Sequence, residues 1–201
     1  MTFWDFSAPF YDHAERTNTA YGKMCGLMRD LTPEGATVFE AAAGTGSISL
    51  SVAKKAKRVL CTDLSEKMLT VAQKKAAKQG VRNVTFAKKS LFKTGEPDGA
   101  FNVVIASQVL HLIDEPEQAA KELKRISGGT VIVAVALLKG LRGFVSKPSV
   151  GIWKLLGFAP KQEFDADGFR AFLTQIGLSP SEYTVLDGNM PMAVSVWRKP
   201  Q

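Results

Sequence analysis

The sequence predicts an α/β domain: an open, mostly parallel sheet with an antiparallel edge. Strand-like and helix-like segments alternate from residue 37 to residue 137, the pattern of a parallel sheet joined by crossover helices. The run from Thr130 to Leu137 is continuously aliphatic, as suits a central strand covered on both faces. Two final strand-like runs, 181–187 and 191–197, flank Asp187-Gly188-Asn189, which signals a tight turn and an antiparallel hairpin. With 201 residues, no internal repeat and no linker-like stretch, one core is expected, so residues 1–201 are read as one domain.

In order along the chain, residues 3–30 read as one or two helices, with Phe3, Trp4, Phe6, Phe10 and Tyr11 as an aromatic cluster. Thr32-Pro33-Glu34-Gly35 is a turn. The first strand is 37–41, followed by a helix from Ser47 to Lys57 and a second strand over 58–62. Ser65 is placed to cap a helix running to Gln79 and closed by Gly80. Its apolar residues Met68, Leu69, Ala72 and Ala76 share one face, while Lys67, Lys74 and Lys78 face solvent. Strand three is 83–87 and strand four runs from Phe101 to Ala106. Asp114 and Glu117 have the spacing of a capping box for a helix that stops before Gly128-Gly129. Residues 139–163 read as a short helical insertion, and a helix from Asp165 to Ile176 precedes the hairpin.

Composition bounds the function. The start, MTFWDFSAPFYDHAER, has early acids and no apolar core segment, unlike a signal peptide. No apolar run is long enough to span a bilayer. Cys25 and Cys61 lack metal or redox spacing, so both are expected to be reduced core thiols of a cytoplasmic protein. With only two histidines, no metal site is expected. The net charge of +7 comes from lysine clusters at 54–58, 74–78 and 88–89. These are read as solvated helix faces, because no arginine-rich run or interleaved aromatic residues point to nucleic acid.

Residues 38–46, VFEAAAGTG, carry the strongest chemical signal. A buried approach, Val38-Phe39, ends in Glu40; Gly44-Thr45-Gly46 then turns into a helix-like run. Such a turn uncovers backbone that a ligand can approach closely. The acid at the strand end suits hydroxyl or ammonium groups. The second strand also ends in an acid, Asp63. Two parallel strands with carboxylates at their C-terminal edges, beside a glycine turn, make a nucleoside site. A Rossmann dinucleotide fingerprint fails because Ser49 stands where its third glycine belongs, and the Gly-Lys-Ser/Thr of a P-loop is missing.

In order and spacing, these segments resemble class I S-adenosylmethionine (SAM)-dependent methyltransferases of the small-molecule, type 11-like kind, over about residues 36–137. The motifs are Glu40-Ala41-Ala42-Ala43-Gly44-Thr45-Gly46, Asp63-Leu64-Ser65-Glu66-Lys67-Met68 and Phe101 through Leu112. The resemblance implies a Rossmann-like, seven-stranded, mostly parallel sheet with an antiparallel C-terminal hairpin and helices on both faces. It implies SAM as cofactor and S-adenosylhomocysteine (SAH) as product. Residues 1–31 become a helical lid, with Tyr11 near the methionine portion of SAM and His13 and Asp12 beside it. Asp63 would hold the ribose hydroxyls, Met68 the adenine, and Glu40, Ala41, Ala42, Gly44, Thr45 and Gly46 the cofactor loop. Leu64 and Ser107 belong to the same cofactor set.

Two positions depart from the pattern. Ala42 replaces the first glycine of the loop and is tolerated if its φ stays negative. Ser90 stands where an acid often meets the adenine amino group, leaving a weaker acceptor, while Leu91 covers the ring or offers its backbone amide. Methyl transfer needs mainly placement, with a base only for a protonated nucleophile. His111, just past strand four, is the candidate base or acceptor contact. The expected acceptor is a small, partly apolar molecule, since the motifs of amino-group and cytosine methylases are missing. Residues Leu141, Phe144, Ile152, Trp153 and Phe158, with Arg142, Lys147 and Lys154 nearby, are read first as ordinary packing over the sheet edge, with roofing of such an acceptor or peripheral rest on a membrane surface as the alternatives. A non-catalytic SAM-binding protein and an RNA methyltransferase are the alternatives. Neither the oligomeric state nor the attacked atom is fixed by these residues.

Overall fold

The computed structural model describes residues 3–139 and 160–200. Seven strands form one sheet: β1 (Thr37–Ala41), β2 (Arg58–Asp63), β3 (Val84–Lys88), β4 (Phe101–Ser107), β5 (Ser127–Ala136), β6 (Glu182–Leu186) and β7 (Met192–Arg198). Their order is β3-β2-β1-β4-β5-β7-β6. The first five are parallel, and β7 runs antiparallel between β5 and β6. The order reverses between β1 and β4, and such a reversal opens a crevice at the C-terminal strand ends.

Side chains alternate across the sheet. Val38, Val103, Ile105, Ile132 and Ala134 join one core, shared with α2 (Thr19–Leu31), α3 (Ser47–Val52) and α4 (Glu66–Lys78). Phe39, Val104, Ala106, Val131 and Val133 join the other, shared with α5 (Pro116–Ile126) and α6 (Ala166–Gln175). Both sheet faces are therefore covered, and each fully buried large side chain contributes about 1.5–3 kcal/mol. Helix α1 (Phe3–Arg16) lies alongside α4 rather than on the sheet.

Four local expectations are corrected. The helix after the glycine loop ends at Val52, not Lys57, because Lys57 turns back to donate its N–H to Ala36 O. The Asp114/Glu117 capping box does not form: Glu115 occupies the N-cap position without a side-chain bond, and Pro116 opens the helix. Gly128-Gly129 does not separate helix from strand but lies inside β5. A Cβ at Gly128 would stand 3.2 Å from Phe101 O, beside a register shift in the β4–β5 pairing. The hairpin link is a longer loop over 187–191, with Asn189 Oδ1 accepting from Thr19 N at 2.9 Å. The Ser65 cap forms as expected, its Oγ accepting from Met68 N at 3.2 Å, and Gly80 follows the helix with φ +67°. Of the expected insertion at 139–163, residues 140–159 lie outside the described residues.

Candidate functional site

The crevice is built on the ends of β1, β2 and β4. After β1 the chain leaves the sheet through Ala42, Ala43, Gly44 and Thr45, then enters α3 from Gly46. Ala43 N donates to Thr62 O at 2.8 Å and Gly46 N to Ala43 O at 2.9 Å, which fixes the turn against β2. Three turn residues are left-handed: Ala42 at φ +50°, Gly44 at +55° and Gly46 at +76°. The expected negative φ at Ala42 is thus overturned. The loop needs a left-handed residue there, and alanine adopts it at a steric cost of about 1–2 kcal/mol. Gly46 has a packing reason as well, since a Cβ would stand 2.9 Å from Ala72 Cβ. At Gly44 a Cβ would meet only the Tyr11 ring, at 3.8 Å, so that stretch of backbone is bare on the lid side.

Asp63 is bound to this loop. Its Oδ2 accepts from Gly44 N and its Oδ1 from Ser65 N, each at 2.8 Å. Burial raises its pKa, and these backbone donors, with Leu64 N, oppose the rise. The two oxygens together offer about four acceptor sites, so with three donors bound one site is left for a further donor. Glu40 is more deeply buried, 2% exposed, and its Oε2 accepts from Ser49 Oγ. Desolvation pushes its carboxyl up to about 8, with the Ser49 bonds opposing. Register pairs Glu40 with Cys61 on β2 and Ile105 on β4, which places it under the mouth of the crevice.

Helix α1 supplies its own acids. Asp5 Oδ1 accepts from Ser65 Oγ at 2.7 Å. Asp12 Oδ1 accepts from Thr45 Oγ1 at 2.5 Å and from Lys75 Nζ at 2.8 Å. Glu15 Oε2 accepts from Ser47 Oγ at 3.1 Å, and desolvation lifts its carboxyl to about 7. Burial, then the charge of Glu15, raises the Tyr11 phenol. Phe6 and Phe10 remain exposed on the outer face of α1.

The other expected site residues fall around this centre. Ala41 ends β1 in the core, and Met68 is fully buried in the first turn of α4. Leu64, between Asp63 and Ser65, is 61% exposed. Ser90 lies just past β3, its Oγ accepting from Phe92 N at 3.2 Å, while Leu91 is buried in the sheet core. At the end of β4, Ser107 Oγ donates to Met24 Sδ at 3.7 Å, directed toward α2. His111 sits in a 3-10 turn, Leu110–Leu112, 5% exposed, and its Nδ1 has no partner among the described residues. Burial lowers its pKa to about 4. Its carbonyl accepts from Lys161 N at 2.9 Å.

Four contributors were not singled out as site residues from sequence: Ser47, Ser49, Lys75 and Gln108. Lys75 borders the apolar face of α4, three residues from Ala72 and next to Ala76, and that position was its only signal. Gln108 has φ +56°. Its Oε1 accepts from Ala136 N at 3.0 Å, and its buried Nε2 is unpartnered among the described residues. Among those residues no cluster of three or more His, Cys, Asp or Glu is arranged to hold a metal.

A family model described as a methyltransferase domain matches residues 39–133, which holds β1, the glycine turn, Asp63, β4 and His111. An uncharacterised protein of Mycobacterium tuberculosis is 32% identical over 111 residues, 54% of this chain and 40% of that one. The chain thus spans about two fifths of the length of that relative. Among solved structures, a chain of the complex between the Haloferax volcanii Trm112 methyltransferase activator and its assigned methyltransferase superposes with a TM-score of 0.76 at 16% identity, covering 99% of each chain. A magnesium protoporphyrin IX methyltransferase from Synechocystis, solved with bound SAH, gives a TM-score of 0.65 at 21% identity, covering 90% of this chain and 82% of that one. Glycine turn, strand order and family match agree: residues 39–133 match the methyltransferase domain, and the seven-stranded sheet has the Rossmann-like fold of SAM-dependent methyltransferases.

Proposed function

We propose that this protein transfers the methyl group of SAM to a small, partly apolar acceptor. The observation that carries the reading is the bond between the bare backbone at Gly44 and the Asp63 carboxylate, at the point where the strand order reverses. The residues fit a nucleoside with an amino-acid tail. Asp63 keeps a free acceptor site for a ribose hydroxyl, and Glu40 offers a buried carboxyl to an ammonium group. The turn Ala41, Ala42, Gly44, Thr45 and Gly46 gives close approach to backbone, with Tyr11 over it. Leu64 and Met68 flank the place of an adenine, and Ser90 with Leu91 bound its edge.

When bound, SAM supplies a methyl group activated by its sulfonium. The chain's own part is placement, which contributes up to about 7–11 kcal/mol when the approach is in line. His111, just past β4, is the candidate on the acceptor side. The His111 Nδ1, without a partner among the described residues, is offered as a hydrogen-bonding contact to the acceptor; with its pKa lowered to about 4 by burial the imidazole is a weak base at pH 7. The magnesium protoporphyrin IX methyltransferase of similar fold supports a small-molecule acceptor. No described helix is long and apolar enough to cross a membrane.

The test is incubation with methyl-labelled SAM and fractionated small-molecule extract, read by mass spectrometry. Label in an organic-soluble product below about 1 kDa is the expected result. Label confined to protein or RNA, or none with every fraction, overturns the assignment.

A further inference from the structure

Five side chains from three elements meet over the glycine turn, and one of them is central. Lys75, from α4, places Nζ 2.8 Å from Asp12 Oδ1, 2.9 Å from Ser47 Oγ and 3.3 Å from Thr45 Oγ1. Asp12 belongs to the lid helix, while Thr45 and Ser47 flank Gly46 on the turn itself. Thr45 donates to Asp12, and Ser47 donates to Glu15 on the next turn of the lid. The ammonium therefore joins lid, cofactor loop and α4 in one network. Lys75 and Asp12 keep only 21% and 23% of their side chains exposed, in contrast with Lys67, Lys74 and Lys78 on the same helix, which are exposed.

We infer that Lys75 is a positioning residue: it pins α1 across the glycine turn, so the residence time of the adenosyl ligand depends on this one ammonium. The inference rests on the reading of that turn as the SAM site.

Three physical points support it. A charge-assisted bond in a half-buried setting is stronger than an exposed pair, because solvent screens it less. At this end α1 is held to the turn through two acids, Asp12 and Glu15; it packs against α4 and α2, and its exposed face carries Phe6 and Phe10. Tyr11, one residue before Asp12, is the ring that stands over Gly44. Releasing Asp12 therefore frees the ring that covers the bare backbone.

The experiment compares wild type, Lys75→Met, Lys75→Arg and the exposed control Lys78→Met. SAH affinity and release are followed by calorimetry and by Trp4 fluorescence, Trp4 being in the lid and 6.3 Å from Tyr11 between ring centroids. Amide hydrogen exchange of residues 3–16 is measured without ligand. Lys75→Met is expected to bind SAH about tenfold more weakly, mainly through faster release, and to speed exchange in residues 3–16 but not in β4 or β5. Lys75→Arg should recover most of the affinity, and Lys78→Met should match wild type. The inference is overturned if Lys75→Met and Lys78→Met bind alike, or if exchange quickens across the whole sheet. Wild type that fails to bind SAH refutes the reading of the turn instead; the exchange comparison then still decides whether Lys75 pins the lid.

Discussion

Gly46→Ala probes the turn at its tightest point. Two costs add. At φ +76° an alanine pays about 1–2 kcal/mol for left-handed backbone. Its Cβ would also stand 2.9 Å from the Cβ of Ala72, a side chain on α4 with no exposure. Overlap in a packed interior costs about 1–3 kcal/mol. The stiffer unfolded chain returns about 0.4–1 kcal/mol, so the net loss is about 2–4 kcal/mol. Urea denaturation measures the total, and a cycle with Ala72→Gly separates its parts. Ala72→Gly alone costs about 1 kcal/mol through helix propensity, with a further loss from the buried methyl. In the double variant the overlap vanishes while the φ cost remains, so a coupling of about 1–3 kcal/mol is expected. A Gly46→Ala protein within about 0.5 kcal/mol of wild type, or zero coupling, would refute the packing argument.

Further outcomes are expected. Ala42→Gly relieves the left-handed strain at φ +50° and should stabilise the protein by about 0.5–1 kcal/mol after the glycine entropy cost, read as a higher urea midpoint. Without ligand, Glu40 and Glu15 hold protons up to about 8 and about 7, whereas the unfolded chain releases them near its ordinary value of about 4.3. The folded state thus binds more protons in that window, and stability should fall as pH rises from about 5 to 8; a Tm that climbs over this range contradicts it. An ammonium beside Glu40 favours its carboxylate, so SAM binding at pH 7 should release protons. Calorimetric heats should then differ between phosphate and Tris, and equal heats would count against contact with Glu40. The His111 imidazole, held down to about 4 by burial, should show constant NMR shifts from pH 8 to about 5 and titrate only below.

The sheet was legible because its signals are local. Val38-Phe39, Val103-Val104-Ile105 and Val131 through Val135 are apolar at every position, and both sheet faces bury them. Ser65 and Gly80 mark the ends of α4 through backbone chemistry that a few residues specify. Boundaries set by distant partners were not legible. Lys57 leaves helical geometry for a bond to Ala36, and Gly128 is needed for close passage of Phe101 O. The same division runs through the site. Glu40, Gly44, Gly46 and Asp63 lie at strand ends and in a turn of recognisable spacing. Lys75 and Ser49 act on residues from other elements, and the left-handed φ of Ala42 contradicts what alanine usually signals.

Calorimetric titration of SAH into wild type and Asp63→Ala, with folding checked by thermal unfolding, puts the nucleoside site to the test. A charge-assisted ribose contact is worth about 1.5–3 kcal/mol, so wild type should bind and the variant should lose about tenfold or more in affinity. Equal affinities for two folded proteins, or a folded wild type that takes up no SAH, would contradict the assignment of the Gly44–Asp63 crevice.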